Sequence, residues 1–213
     1  MNRLRLTEIF FSLQGETRSV GMPTVFIRLT GCPLRCHYCD TAYAFQGGNW
    51  YEIDTIMQKV HSYGARFVTV TGGEPLAQRP VIHLLTQLCN ADYQVSLETS
   101  GALDVSVVDP RVIKILDVKT PGSGEVNRND WNNFNHLLPH DQIKFVICSQ
   151  EDYQWSKKII EEFSLQDHCE ILFSPSYNEM NAANLADWIV KDRLKVRFQI
   201  QLHKYLWGDA PGR

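Results

Sequence analysis

The amino-acid sequence predicts an α/β fold, an open and partial β/α barrel with about six core parallel strands and reduced helices. Two patterns carry that prediction. Short β-branched runs alternate with amphipathic stretches along the chain, as β/α units around a parallel sheet require. The runs, about six or seven in number, fall short of the eight strands of a complete barrel, which needs roughly 250 residues. A third pattern locates the chemistry. Polar, glycine-bearing loops follow the runs, at the strand ends where such sheets carry their sites.

Residues 24–30 (TVFIRLT) predict the first strand, and a loop with three cysteines follows it. Residues 52–62 have helical periodicity, with Ile53, Ile56, Met57 and Val60 on one face. A strand over 67–71 ends in Gly72-Gly73-Glu74-Pro75, a helix covers 81–88, and a strand over 94–98 ends in Thr99-Ser100-Gly101. Residues 112–118 and 142–148 predict two more strands, the first running into the loop DVKTPGSG. Residues 151–163 predict a helix with acids in its first turn, as the helix dipole favours. A strand over 169–173, a helix over 180–191 and a strand over 196–201 follow.

Between 120 and 140 five asparagines (Asn127, Asn129, Asn132, Asn133, Asn135) surround Trp131 and Phe134. This stretch reads as a surface connection with a short helix, with a lid over the site as the alternative. The chain divides into an N-terminal extension (1–22), a barrel core (23–200) and a tail (201–213), all in one domain.

Composition bounds the function. The 213 residues carry 21 basic and 24 acidic side chains, a net charge of −3, without the basic surplus of a nucleic-acid protein. Hydrophobic residues at 44% and charged residues at 21% exclude global disorder. No apolar run approaches the roughly 18 residues of a membrane span. The first residues mix Arg3, Arg5 and Glu8 into the apolar ones, which is unlike a signal-peptide core. A soluble, cytoplasmic protein is expected.

Cys32, Cys36 and Cys39 lie within eight residues, a spacing expected by chance about 0.005 times at this cysteine content. Cys89, Cys148 and Cys169 sit singly in apolar stretches and read as core residues. The cluster fits a zinc site completed by His37, a redox pair that leaves Cys32 idle, or an iron–sulfur cluster. In the last case three thiolates leave one iron open to a small molecule. Arg28 is the other conspicuous residue. In TVFIRLT it shares a face with Phe26 and Thr30, opposite Val25, Ile27 and Leu29. A guanidinium in an apolar strand needs a partner, either a buried acid or a ligand carboxylate gripped by both of its nitrogens.

Together, Cys32-x3-Cys36-x2-Cys39, with Tyr38 before the last cysteine, and Gly72-Gly73-Glu74-Pro75 after the next strand resemble the radical S-adenosylmethionine superfamily. Phe11-Ser12-Leu13-Gln14-Gly15-Glu16, Arg28 and Asp40-Thr41 extend the match, and the chain is similar to the 7-carboxy-7-deazaguanine synthase family from Glu8 to about Trp207. It departs at Thr17, where that family commonly has glycine.

The resemblance implies a partial barrel of the radical S-adenosylmethionine type and makes His37 a loop residue. Cys32, Cys36 and Cys39 would hold one [4Fe-4S] cluster, whose open iron chelates S-adenosylmethionine. Tyr38, Gly72, Gly73, Glu74, Ser100, Gly101, Asp117, Lys119, Ser123 and Ser174 would contact that cofactor. Leu13, Gln14, Gly15, Glu16, Arg28 and Thr99 would bind substrate, making the N-terminal extension a substrate-binding one. Thr41, with Asp40 nearby, would serve a Mg2+ ion. The implied reaction is radical ring contraction of 6-carboxy-5,6,7,8-tetrahydropterin to 7-carboxy-7-deazaguanine with loss of ammonia, in 7-deazapurine (queuosine) biosynthesis. That is a carbon–nitrogen lyase with no catalytic residue beyond the cofactor assembly. A flavodoxin- or ferredoxin-type electron donor and a homodimer are the implied partners, without direct contact to nucleic acid or membrane.

Two other readings compete. Asp117-Val118-Lys119 resembles the D-x-K segment of glycyl-radical-enzyme activases, and a zinc-binding module would account for the cysteines alone. The segment 201–207 reads as a strand end and solvated tail, or as a closure over the site or a dimer interface. His203 by itself does not identify a catalyst.

Overall fold

The computed structural model describes residues 2–177, 179–210 and 212; residues 1 and 213, at the outer ends of the extension and the tail, lie outside the described residues, as do 178 and 211. Nine strands form its frame: β1 (Arg3–Leu13), β2 (Pro23–Leu29), β3 (Asn49–Glu52), β4 (Phe67–Gly72), β5 (Gln94–Thr99), β6 (Ile113–Val118), β7 (Gln142–Ile147), β8 (Glu170–Pro175) and β9 (Arg197–Phe198). The helices are α1 (Ile53–Ser62), α2 (Val81–Asn90), α3 (Gln150–Glu162), α4 (Ala182–Asp192) and α5 (Leu202–Trp207). The strands make one open sheet in the order β3-β1-β2-β4-β5-β6-β7-β8-β9. From β2 to β9 every pairing is parallel, while β1 runs antiparallel to both β2 and β3. The open, partial β/α barrel is therefore the fold.

Alternation along the parallel strands sorts the side chains. Val25, Ile27 and Leu29 on β2, Val68 and Val70 on β4, and Val95 and Leu97 on β5 are buried among the residues of the core. The helices supply Ile56, Val60, Leu84, Leu88, Ile160 and Leu185 to the same core. Each such side chain contributes about 1.5–3 kcal/mol of burial. Most of the intervening positions are polar (Arg28, Thr69 and Thr71, Ser96 and Glu98, Asp117, Lys144 and Ser174), with Phe26, Ile115 and Val146 among them. One face of each strand thus builds the core, and the other gives the sheet a mixed, charge-bearing concave side.

β1 was not expected. Its buried residues Leu4 and Leu6 keep a period of two, but the register shifts between Leu6 and Glu8 and the next buried residue is Ile9. The bulge breaks the alternation by which a strand is recognised. The expected strand over 196–201 shrinks to two residues: Gln199 N still donates to Phe173 O (3.0 Å) as the last rung beside β8, and the chain then enters α5. The asparagine-rich stretch is a pinned connection. Asn133 is buried, donating to Gly101 O and Leu103 O and accepting from Val105 N, all at 3.0 Å. Trp131 and Phe134 pack on Phe163 at 5.4 and 5.1 Å between ring centroids. Among the described residues no helix is long and apolar enough to cross a membrane.

Candidate active site

The strands end in loops that line a cleft partly open to solvent. The loop after β2 brings Cys32, Cys36 and Cys39 to its wall, half-buried and unbridged. Two hydrogen bonds tie this loop to the segment after β6: His37 N to Ser123 O (3.0 Å) and Arg35 N to Glu125 Oε1 (2.5 Å). The Arg35 guanidinium closes the turn on Cys32 O (2.7 Å) and Leu34 O (2.6 Å). Burial raises all three thiols. Cys36 is pushed up to about 11, with Lys119 pulling it back and Asp117 adding to the rise. As thiolates they therefore need a positive partner, which an iron–sulfur cluster supplies. Among the described residues no three His, Cys, Asp or Glu side chains gather around a single ion. His37 instead lies against the turn at Gly124, where an added Cβ would come within 2.9 Å of its ring.

Gly72 and Gly73 line the cleft beside the cysteines. The space a side chain would need there is taken by the protein itself. A Cβ on Gly72 would strike Leu29 O, and one on Gly73 would strike Gly31 O and Cys32 Cβ. Gly73 N donates to Leu29 O (3.1 Å) and Glu74 N to Gly31 O (2.8 Å), which fastens the end of β4 to the cysteine loop. Glu74 is fully buried and does not face the cleft. Its carboxylate accepts from Leu76 N (2.9 Å), Thr99 Oγ1 (2.9 Å) and Ser100 N (2.7 Å).

Gly101 and Ser123 also lie off the cleft wall. Gly101 takes φ +74°, the left-handed turn that glycine suits. Ser123 Oγ donates to Thr120 O (2.6 Å). These two and Glu74 shape the loops that carry the wall. Tyr38, Ser100, Asp117, Lys119 and Ser174 do line the cleft. Lys119 Nζ pairs with Asp117 Oδ2 at 3.0 Å and lies 5.9 Å from the Tyr38 ring centroid. The Tyr38 hydroxyl and Asp117 Oδ1 are buried without a hydrogen-bond partner, as polar atoms awaiting a ligand would be. The three thiols, two close glycines and these orphaned oxygens form a donor set that fits an iron–sulfur cluster with S-adenosylmethionine.

Leu13, Gln14, Gly15, Glu16, Arg28 and Thr99 line the same cleft. Arg28 finds an acid partner across the strands. Its Nε pairs with Glu8 Oε1 at 2.7 Å, and Tyr43 hydroxyl donates to the same oxygen at 2.8 Å. Its Nη atoms form no hydrogen bond among the described residues and remain available in the cleft. Asp40 and Thr41 stand at the rim. Thr41 Oγ1 donates to Asp40 Oδ1 (2.8 Å) and Gln201 Nε2 to Asp40 Oδ2 (2.9 Å). Burial works against the Asp40 charge, but these two hydrogen bonds hold its carboxyl below the ordinary range.

Two charged cleft residues, Lys144 and Glu98, were not singled out from the sequence, and His203 was named there without a role. Lys144 on β7 donates to both oxygens of Glu16, and Glu98 on β5 lies beside that pair. His203 arrives with α5, whose Leu202 N donates to Gly15 O (2.9 Å), and its ring occupies the space a Cβ on Gly15 would take. The tail thus closes over the cleft and is not merely solvated. Lys144 and Glu98 left a signal: charges inside QIKFVI and QVSLET, comparable to Arg28 in TVFIRLT.

Comparison with known proteins agrees with this geometry. The profile of the radical SAM superfamily matches residues 26–163. The chain is 44% identical to a 7-carboxy-7-deazaguanine synthase of Chlorobaculum tepidum, over 98% of this chain and 97% of that one. It is 37% identical to one of Koribacter versatilis, over 96% and 97%. The crystal structure of QueE from Escherichia coli shares the fold, with a TM-score of 0.77 at 20% identity over 93% of this chain and 94% of that one. The chain belongs to the radical SAM superfamily and, within it, to the 7-carboxy-7-deazaguanine synthase family.

Proposed function

We propose that this protein converts 6-carboxy-5,6,7,8-tetrahydropterin to 7-carboxy-7-deazaguanine with loss of ammonia, a carbon–nitrogen lyase reaction of 7-deazapurine biosynthesis with no net redox change. The observation that carries the reading is the meeting, in one cleft, of the three cysteines with the Arg28 guanidinium and the Gln14–Glu16 loop. Cys32, Cys36 and Cys39 would hold the [4Fe-4S] cluster, with Tyr38, Gly72, Gly73, Glu74, Ser100, Gly101, Asp117, Lys119, Ser123 and Ser174 around S-adenosylmethionine, Glu74, Gly101 and Ser123 acting through the loops they shape. When bound, the two cofactors supply the 5′-deoxyadenosyl radical.

The chain's own groups bind and orient. The Nη atoms of Arg28 donate to the substrate carboxylate while Glu8 fixes the Nε side, so the clamp is set before substrate arrives. Gln14, Gly15 and Glu16 present backbone and side-chain groups to the pterin edge, with Leu13 and Thr99 beside it. α5 covers this end and excludes water. Thr41 gives its hydroxyl hydrogen to Asp40, which leaves the Oγ1 lone pairs free for a Mg2+ ion. A flavodoxin- or ferredoxin-type donor, a homodimer and a cytoplasmic setting complete the proposal.

The test is anaerobic reconstitution with iron and sulfide, followed by reductant, magnesium, S-adenosylmethionine and 6-carboxytetrahydropterin, with products read by mass spectrometry. The expected result is 7-carboxy-7-deazaguanine without stoichiometric 5′-deoxyadenosine. Cleavage of S-adenosylmethionine without that product would overturn the substrate.

A further inference from the structure

Glu98 has no place among the roles assigned above, yet it is a carboxylate set in the wall of the cleft beside a second one. It lies on β5 beneath the N-terminal loop, where a carboxylate must give up water next to the carboxylate of Glu16. Both of its oxygens are used. Oε1 accepts from Gln14 Nε2 (3.4 Å) and Oε2 from Thr71 Oγ1 (2.9 Å). The same Gln14 amide donates to Thr69 Oγ1 (3.0 Å), and its Oε1 accepts from Glu16 N (3.2 Å). Glu98, Gln14 and Glu16 therefore form one chain of hydrogen bonds, ending at the Glu16–Lys144 pair.

We infer that Glu98 is a positioning residue for the pterin end of the cleft: its carboxylate fixes which way the Gln14 amide faces and, through that amide, the backbone of Gly15 and Glu16. The inference rests on the pterin reading proposed above. A carboxylate suits the position because both neighbours donate to it. A glutamine there offers one oxygen to two donors: facing Thr71, it sets its own NH2 against the Gln14 Nε2 donor, and facing Gln14, it forces the Thr71 hydroxyl to turn over and accept, so the network that aims the Gln14 amide is rearranged either way. The charge is tolerated because cations face it. Arg28 comes from β2 and Lys144 from β7, against Glu16 from the loop; β6 adds the Asp117–Lys119 pair, and Glu74 lies beyond β4. Even so, burial and Glu16 raise the Glu98 carboxyl above its ordinary range.

The sign of that shift separates positioning from mere structure. A carboxyl whose pKa is raised on folding binds its proton more tightly when folded, so its charge destabilises the fold as pH rises above the ordinary carboxylate value. Glu98→Gln should therefore leave thermal stability at neutral pH unchanged or higher, while impairing binding. The experiment uses anaerobically reconstituted holoprotein, with the fluorescent oxidised analogue 6-carboxypterin as probe and S-adenosylmethionine as the second ligand. Glu98→Gln is expected to weaken the pterin about tenfold, the effect of one misplaced hydrogen bond, and to leave S-adenosylmethionine within about twofold.

Pterin affinity of the wild type should fall as pH drops through the Glu98 titration, and Glu98→Gln should flatten that fall. Thr71→Val, which removes the other donor, should give a smaller loss confined to the pterin. Unchanged pterin affinity in Glu98→Gln, or equal losses for both ligands, would overturn the role. Failure of the wild type to bind the pterin would overturn the substrate reading, and this inference with it.

Discussion

Lys144 Nζ grips both carboxylate oxygens of Glu16, at 2.9 and 2.8 Å, joining residues 128 positions apart across the floor of the cleft. Burial opposes the ammonium, but Glu16, then Asp117 and Glu98, hold its pKa far above the usual lysine value. Replacing it leaves Glu16 and Glu98 to repel each other at low solvent access. Lys144→Gln is expected to cost about 3 kcal/mol in urea unfolding, as breaking a buried pair does. The lysine pKa is raised on folding, so its contribution is whole below the ordinary lysine value and is lost only as pH climbs beyond it. The lysine's own share is therefore equal at pH 6 and pH 8, but Glu98, already raised, rises further without it, so the loss should be no greater at pH 6 than at pH 8. A loss below about 0.5 kcal/mol, the level of an exposed pair, would show that solvent screens it.

At the other end of the strands, Asp141 accepts from Lys114 N (2.7 Å) and Leu138 N (2.8 Å) and pairs with Lys114 Nζ (2.8 Å), both side chains being almost fully buried. Asp141→Ala strands that ammonium. A loss of about 3–5 kcal/mol is expected, with ligand affinities of the surviving folded protein unchanged, because no atom of the pair lines the cleft. Calorimetry and ligand titration on the same sample would check both halves.

Thr17 adopts φ +67°, a left-handed backbone that a β-branched residue adopts at a cost. Its amide donates to Gln199 Oε1 (2.8 Å), and its hydroxyl lies 3.1 Å from Ser19 Oγ. Thr17→Gly relieves the strain but frees the unfolded chain, so stability should stay within about 0.5 kcal/mol. Thr17→Val keeps the strain and loses the hydroxyl, and should cost about 1 kcal/mol. Denaturant curves that rank the two the other way would contradict this account of the turn.

A Cβ on Gly15 would occupy the place of the His203 ring. Gly15→Ala should displace α5, and amide exchange over 202–207 should quicken about tenfold or more while the barrel strands keep their protection. In the wild type, the tie from Gln201 to Asp40 depends on a carboxyl held below its ordinary range. Such a group stabilises above its unfolded pKa and loses that contribution as pH falls through the folded one. Protection of the tail should therefore persist at pH 5 and fade only in stronger acid.

Much of this architecture is legible in the sequence because the parallel strands are short apolar runs, four of them (β2, β4, β5 and β6) ended by glycine-bearing loops. Gly72 and Gly101 mark two of those ends. What stays hidden has local causes. The bulge between Leu6 and Glu8 puts the halves of β1 out of phase, and β3 is four residues long and mostly exposed. In the cleft, the cysteines and Arg28 stand out against their neighbours. Glu74 sits within an equally conspicuous motif, yet its carboxylate turns inward to hold Thr99 and Ser100. Spacing says that these residues belong together; it does not say which way a side chain turns. Glu98, Lys144 and His203 become neighbours of Gly15 and Glu16 only once the sheet has curved.

The sheet is bounded by its two shortest strands, β3 with four residues and β9 with two. Each offers few backbone amides and carbonyls to a strand from another molecule, and β3 carries Glu52 and an exposed Trp50 capped by Arg3 at 4.9 Å. Truncated borders of this kind guard a β-rich protein against edge-to-edge polymerisation. Copies of this chain that meet in solution would therefore recognise each other through side-chain surfaces, and the sheet would end within each molecule instead of continuing across the contact.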